Sequence, residues 1–162
     1  MSNGVNEWVQ EGHLYVWRYA TPRRHWCGWH FTADPTGSRS IRNLLDRMHG
    51  GEPCHRTLKL APVTDAILSV PNCGYKKAGD FEKLRIEYLP NFEDLRIVPN
   101  ANALVMTIGK PRLRSVTAAF AEVEVGLGDF GIATSKDRKA NPWMFWWMPY
   151  SGGYYSKKGR IS

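Results

Sequence analysis

Residues 143–148 read WMFWWM, six large apolar side chains in a row. In a β-strand, successive side chains point to opposite faces of the sheet, so this segment would present apolar bulk on both faces. Each face then needs a cover, since Trp, Phe and Met bury large apolar areas. One cover is the protein core, and the other is a helix, a partner or a ligand. The segment therefore predicts a strand that is covered on both sides.

A second aromatic cluster lies near the other end of the chain, where residues 25–31 read HWCGWHF. The alternating segment His13 to Tyr19 predicts a strand, and Cys27 to Thr32 predicts a second one. Between them, Pro22 and two arginines indicate a basic connection. The two aromatic clusters are therefore candidates for either a shared core or a recognition surface.

Two helices are predicted from apolar side chains at helical spacing. The first runs from Ser38, a suitable N-cap, to His49, before the pair Gly50-Gly51. The second begins near Pro111, because proline suits a first helical turn. The predicted buried faces are Ile41, Leu44, Leu45 and Met48 in the first helix, and Leu113, Val116, Phe120 and Val123 in the second.

The remaining pattern predicts strands and one ambiguous segment, Val63 to Val70. Glu82 to Tyr88 shows the clearest alternation, with Leu84, Ile86 and Tyr88 on one face. Further strands are predicted at Thr57 to Leu60, Asp94 to Val98, Ala103 to Ile108, Phe130 to Thr134 and Trp143 to Met148. This order indicates an α+β fold, with a mainly antiparallel sheet and two principal helices packed against it.

The 162 residues suit one domain, which we place at residues 1–150, followed by a flexible basic tail at 151–162. Three cysteines without C-x-x-C spacing favour a reducing compartment. No apolar run approaches the roughly 18 residues of a membrane helix, and the N-terminus lacks a secretion signal. We therefore expect a cytoplasmic protein with no membrane partner.

The net charge of +7 is a reason to consider an anionic partner. Our first hypothesis is a small soluble protein that binds nucleic acid or a nucleotide. Bases would stack on aromatic rings while cations contact phosphates. The candidate stacking residues are Trp26, Trp29, Trp146 and Trp147, and the candidate phosphate contacts are Arg23, Arg24, Lys157 and Lys158. No cofactor is predicted, and no metal either, because the spacing of His25, Cys27 and His30 matches no common zinc framework.

A second hypothesis is a small enzyme. Arg18 on the first predicted strand, Phe31-Thr32 on the second and the late pair Glu122 and Glu124 stand in an order that resembles ADP-ribosyltransferases. That resemblance implies a transferase with an early-strand arginine and a late acidic pair. The chain has Thr32-Ala33-Asp34 where that family typically shows a Ser-Thr-Ser run. If residues 111–125 form one helix, the two carboxylates diverge, and a four-position apolar stripe favours that helix.

Two other hypotheses stay open. A nuclease would need a general base such as His30, whose unperturbed pKa lies near neutrality. A protein-interaction module would use the Trp143 to Met148 strand as an edge for a homodimer or another partner. Whether the aromatic clusters meet in a cleft or in the core decides among these functions.

Overall fold

The computed structural model describes residues 4–20, 26–71 and 75–149. The predictions made for Arg23, Arg24, Lys157, Lys158 and the tail at 151–162 lie outside the described residues. The described elements, in chain order, are β1 (Leu14–Trp17), β2 (His30–Ala33), α1 (Pro35–Met48), β3 (Cys54–Lys59), α2 (Asp65–Leu68), β4 (Lys83–Tyr88), β5 (Leu95–Asn100), β6 (Ala103–Ile108), α3 (Lys110–Glu124), β7 (Phe130–Ile132) and β8 (Trp143–Phe145).

The strands form two four-stranded sheets, in the orders β1-β2-β8-β7 and β3-β4-β6-β5. The α+β class is therefore confirmed, but the prediction of a mainly antiparallel arrangement is wrong, because both sheets are mixed. The outer pairs are antiparallel, and the central pairs, β2 with β8 and β4 with β6, are parallel. In the second sheet, β5 lies at the edge and reverses into β6. The chain thus reverses direction twice, once between β4 and β5 and once between β5 and β6, so β6 runs parallel to β4.

The two long helices are α1 and α3, which pack against each other and against the first sheet. Their predicted apolar faces are buried, with Leu44 and Phe120 both fully inaccessible to solvent. The start of α1 differs from the prediction, because its N-cap is Asp34, whose carboxylate accepts a hydrogen bond from the backbone N–H of Gly37. Ser38 lies inside the helix and is itself buried.

The first sheet separates two cores. On one face, Phe31 of β2 and Phe145 of β8 stack with ring centroids 4.8 Å apart and join the main core. On the other face, His30 of β2 and Met144 of β8 lie beside a second, aromatic-rich cluster. The expectation that both faces of the 143–148 segment are covered is confirmed. The second cover is supplied by α2, through buried Ile67, and by Tyr75.

Within the described residues, no helix combines the length and the apolar character needed to cross a bilayer.

Candidate nucleic-acid interface

The aromatic side chains on the second face of the first sheet surround His30. We call Trp17, Tyr19, Trp26 and Trp146, with His30 itself, the His30 cluster. The imidazole ring lies 5.7 Å from the ring of Trp17 and 4.7 Å from that of Tyr19, measured between centroids. Trp146 and Trp26 lie 6.2 and 6.3 Å from it. His30 is wholly inaccessible to solvent, so this arrangement is a packed interior.

Hydrogen bonds assign the protonation state of His30. The indole Nε1 of Trp146 donates to Nδ1 of His30 at 3.0 Å, so Nδ1 carries no proton. The opposite nitrogen, Nε2, lies 3.2 Å from the carbonyl oxygen of Trp26 and donates to it. Burial lowers the pKa of His30 to about 4, against the smaller opposing effect of the Trp26 carbonyl. The histidine is therefore neutral at physiological pH and is poorly placed as a general base for a solvent-borne substrate.

The candidate stacking residues fall into two groups. Trp146 and Trp29 are buried, with 2% and 8% of their surface exposed, and offer no ring face to a base from solvent. Trp26 and Trp147 are half-buried and pack against the second core. The structure brings Trp26 and Trp146 together, with centroids 5.4 Å apart, whereas Trp29 belongs to the main core.

The described contacts of the candidate catalytic residues Arg18 and Glu124 are with different partners. The guanidinium of Arg18 lies 5.0 Å above the ring of Trp29 and 5.9 Å from that of Phe81. Glu122 and Glu124 lie on α3, where residues two apart point about 200° apart around the axis. Glu122 is exposed, and the predicted helix is confirmed. Glu124 forms ion pairs with Arg39 and Arg42 of α1, which indicates a structural role.

The strand proposed as a partner edge is not at an edge. Within the described residues, β8 is hydrogen-bonded on one side to β2 and on the other to β7. Its backbone groups are therefore already used in the sheet. Pairing of a second chain along Trp143–Phe145 would require β7 or β2 to leave.

Across the described part of the chain, no three or more His, Cys, Asp or Glu side chains are grouped as metal ligands. Two of the cysteines, Cys27 and Cys54, are free and half-buried.

Among the residues that the structure describes, one face of the second sheet is largely accessible to solvent, although Thr107 on it is buried, and we call it the open face. The opposite face of the same sheet, which carries Leu84, Met106 and Leu95, packs into the main core. Because side chains alternate along a strand, the residues between them point away from that core. The outward positions are His55, Thr57 and Lys59 on β3, Lys83, Arg85 and Glu87 on β4, Ala103, Val105 and Thr107 on β6, and Arg96, Val98 and Asn100 on β5.

Basic side chains dominate the open face. Lys59, Lys83 and Arg96 are exposed, and Arg85 is half-buried. The one carboxylate at these strand positions is Glu87, which accepts from Nε of Arg85 at 2.7 Å. Lys59 lies directly opposite Lys83 in the antiparallel pair. Like charges facing each other across a ladder are destabilising, so a bound anion would relieve their repulsion.

The open face carries one apolar pair, on β5 and β6. Val98 of β5 lies opposite Val105 of β6, and Val98 is 48% exposed. Arg85 lies beside Val105 on β4. The open face therefore combines this apolar pair with cations on β3, β4 and β5. Alternation in β4 alone indicated a polar outer face there, but the contributions of Lys59 and Arg96 depend on strand neighbours that periodicity does not reveal.

No family model, curated protein or solved structure matches this chain.

Proposed function

We propose that this protein binds nucleic acid through the open face of its second sheet. The observation that carries the proposal is the set of four cations at Lys59, Lys83, Arg85 and Arg96, against one carboxylate, on the outward strand positions of a partly exposed four-stranded sheet. Phosphate contacts from lysine and arginine supply most of the affinity in sequence-tolerant nucleic-acid binding.

The shape of the surface suits an extended polyanion. Neighbouring strands are about 4.8 Å apart, so four strands span roughly 15 Å. Lys83 on β4 and Arg96 on β5 are separated by β6. A nucleic-acid strand that crosses the sheet would therefore meet cations at separate points along its phosphate backbone. The Val98–Val105 pair offers apolar contact to sugars. The strand positions of this face carry no Phe, Tyr or Trp, so the affinity arises mainly from phosphates.

The first test is the salt dependence of binding. With four phosphate contacts to a single-stranded nucleic acid, at roughly 0.7 per contact, a plot of the logarithm of the association constant against the logarithm of the salt concentration should have a slope near −3. Fluorescence anisotropy with a labelled 20-nucleotide oligomer at several salt concentrations measures this slope. Replacing Lys83 and Arg96 together by Gln should reduce it by about one half.

A change that should strengthen binding provides a sharper test. Glu87→Gln removes the carboxylate that competes with a phosphate for Arg85, and so strengthens the contact between that guanidinium and phosphate. The expected result is a several-fold tighter complex at low salt. Glu122→Gln is the matched control, because it changes the net charge equally at an exposed position of α3. Equal effects of the two variants, or no binding by the wild type at low salt, would overturn the proposal.

A further inference from the structure

A separate groove lies over the second core. Its volume is about 520 Å³, within the usual range for small-molecule sites. One wall is formed by Asp65 and Leu68 of α2 and by Ser69 directly after it, and the other wall is the segment Tyr75 to Lys77. The groove is lined by half-buried apolar side chains at its base and by charged groups at its rim.

The walls of this groove are held by hydrogen bonds. The backbone N–H of Ala20 donates to the carbonyl of Lys76 at 2.7 Å, and that of Ala78 donates to the carbonyl of Arg18 at 2.9 Å. On the opposite wall, the hydroxyl of Tyr19 donates to the carbonyl of Leu68 at 3.0 Å. Residues following β1 therefore contact both walls. Such a fixed groove loses little conformational entropy when a ligand binds.

The side chains of the groove offer two kinds of contact. Tyr75 is half-buried, with its ring 6.1 Å from that of Tyr19, and Leu68 packs against the same core. These groups suit a flat aromatic ligand, because the ring of a base can stack on the ring of Tyr75 whichever base it is. At the rim, the ammonium of Lys76 is exposed, and that of Lys77 lies 2.5 Å from Asp80. An anion attached to the aromatic ligand would reach these lysines.

We infer that this groove binds a nucleoside phosphate, with the base against Tyr75 and the phosphate at Lys76. The same chemistry is found in a free mononucleotide and at the 5′-phosphorylated end of a strand. The inference is independent of the open face, because a mononucleotide requires no extended polyanion surface. The exposed carboxylate of Asp65, at the start of α2, lies on the same rim and can accept hydrogen bonds from sugar hydroxyls.

Adenosine 5′-monophosphate is the probe for a calorimetric titration. Tyr75→Leu keeps apolar bulk but removes the ring, and should weaken binding by about fivefold to a hundredfold. Tyr75→Phe keeps the ring and should bind within about twofold of the wild type. Lys76→Gln alters an exposed side chain, so the fold is retained while affinity falls several-fold. Lys136→Gln removes the same charge at an exposed position outside both proposed surfaces, so it is the control and should leave mononucleotide affinity unchanged.

The source of the nucleotide is distinguished with oligonucleotides. If the groove takes a strand end, a 5′-phosphate should raise oligonucleotide affinity in the wild type and not in Lys76→Gln. If it takes a free nucleotide, the monophosphate binds and the 5′-phosphate has no effect. The inference is wrong if the wild type fails to bind the monophosphate at millimolar concentration, or if Tyr75→Leu and Lys76→Gln both bind it like the wild type. Either failure leaves the open-face proposal standing.

Discussion

Trp146 and His30 are joined by a hydrogen bond of 3.0 Å between the indole Nε1 and the imidazole Nδ1. The bond connects residues 116 apart in sequence, at a point where both side chains are buried. Nearby, the hydroxyl of Thr32 donates to the carbonyl of Trp146 at 2.8 Å. Both interactions fix the chain after β8 against β2. The His30 cluster is thus held by directed polar bonds as well as by ring packing.

Protonation of His30 should destabilise the protein in acid. The folded-state pKa is about 4, below the unfolded value of 6.5, so the unfolded state binds the proton more readily. Titration of His30 therefore leaves the free energy of unfolding unchanged above pH 6.5 and lowers it as the pH drops from 6.5 towards 4. The total loss is about 3 kcal/mol, at 1.36 kcal/mol for each unit of pKa difference.

Urea unfolding at several pH values between 7 and 4 measures this loss. His30→Gln should flatten the pH dependence in that window, because the titrating group is removed. His49→Gln, at an exposed position after α1, is the matched control and should leave the slope close to that of the wild type. A slope unaffected by His30→Gln would contradict the assigned protonation behaviour.

Leu44→Ala should lower the free energy of unfolding by roughly 2–5 kcal/mol, because Leu44 is fully buried on α1 and its truncation leaves a cavity. Leu89→Ala offers a comparison, since Leu89 is 40% exposed and should lose well under half as much. Chemical denaturation of both variants measures the difference. Equal midpoints for Leu44→Ala and the wild type would contradict the packing of α1.

Glu124→Gln should destabilise the protein by roughly 1–3 kcal/mol, because it leaves Arg42 without its ion-pair partner in a partly buried position. Glu122→Gln, two residues earlier on the exposed side of α3, should change stability by less than about 0.5 kcal/mol. Thermal denaturation distinguishes the two. A similar loss from both variants would argue against a special role of the α1–α3 ion pair.

Gly109→Ala should prevent normal folding or cost more than about 3 kcal/mol. A Cβ at residue 109 would lie 1.4 Å from the carbonyl oxygen of Phe92, a backbone atom that cannot move aside easily. Gly50→Ala should cost only about 1 kcal/mol, because a Cβ there meets nothing within 4 Å and only the positive φ of 75° opposes it. Soluble yield and melting temperature compare the two variants. Similar behaviour would contradict the close approach at Gly109.

Both long helices could be predicted from sequence because their apolar stripes have a period that strands do not share. The first turn of α1 was harder to predict. Asp34-Pro35-Thr36-Gly37 has the composition of a loop, but Gly37 lies inside the helix. A Cβ there would lie 2.2 Å from the carbonyl of His13, so the glycine allows β1 and α1 to approach closely. A contact of this kind depends on tertiary structure that local propensity does not contain.

The sheets and the open face show a second limit of prediction from sequence alone. Alternation identified β4 and its polar side, but pairing partners are set by which strand lies next to it in space. The parallel pairing of β4 with β6, with β5 beyond, places Arg96 on the same surface as Lys83. The aromatic clusters were ambiguous for the same reason. Composition does not say whether Trp146 is covered by α2 or by a ligand.

The parallel pairing of β2 with β8 has a consequence for synthesis. Phe31 pairs with Phe145, so the ribosome must translate 114 further codons after the first of these residues before its neighbour exists. Until then, the edge of β2 that later pairs with β8 has no partner strand, and an unpaired strand edge promotes aggregation during synthesis. A contact so distant in sequence also predicts slow folding that is completed only after residue 145 has been synthesised.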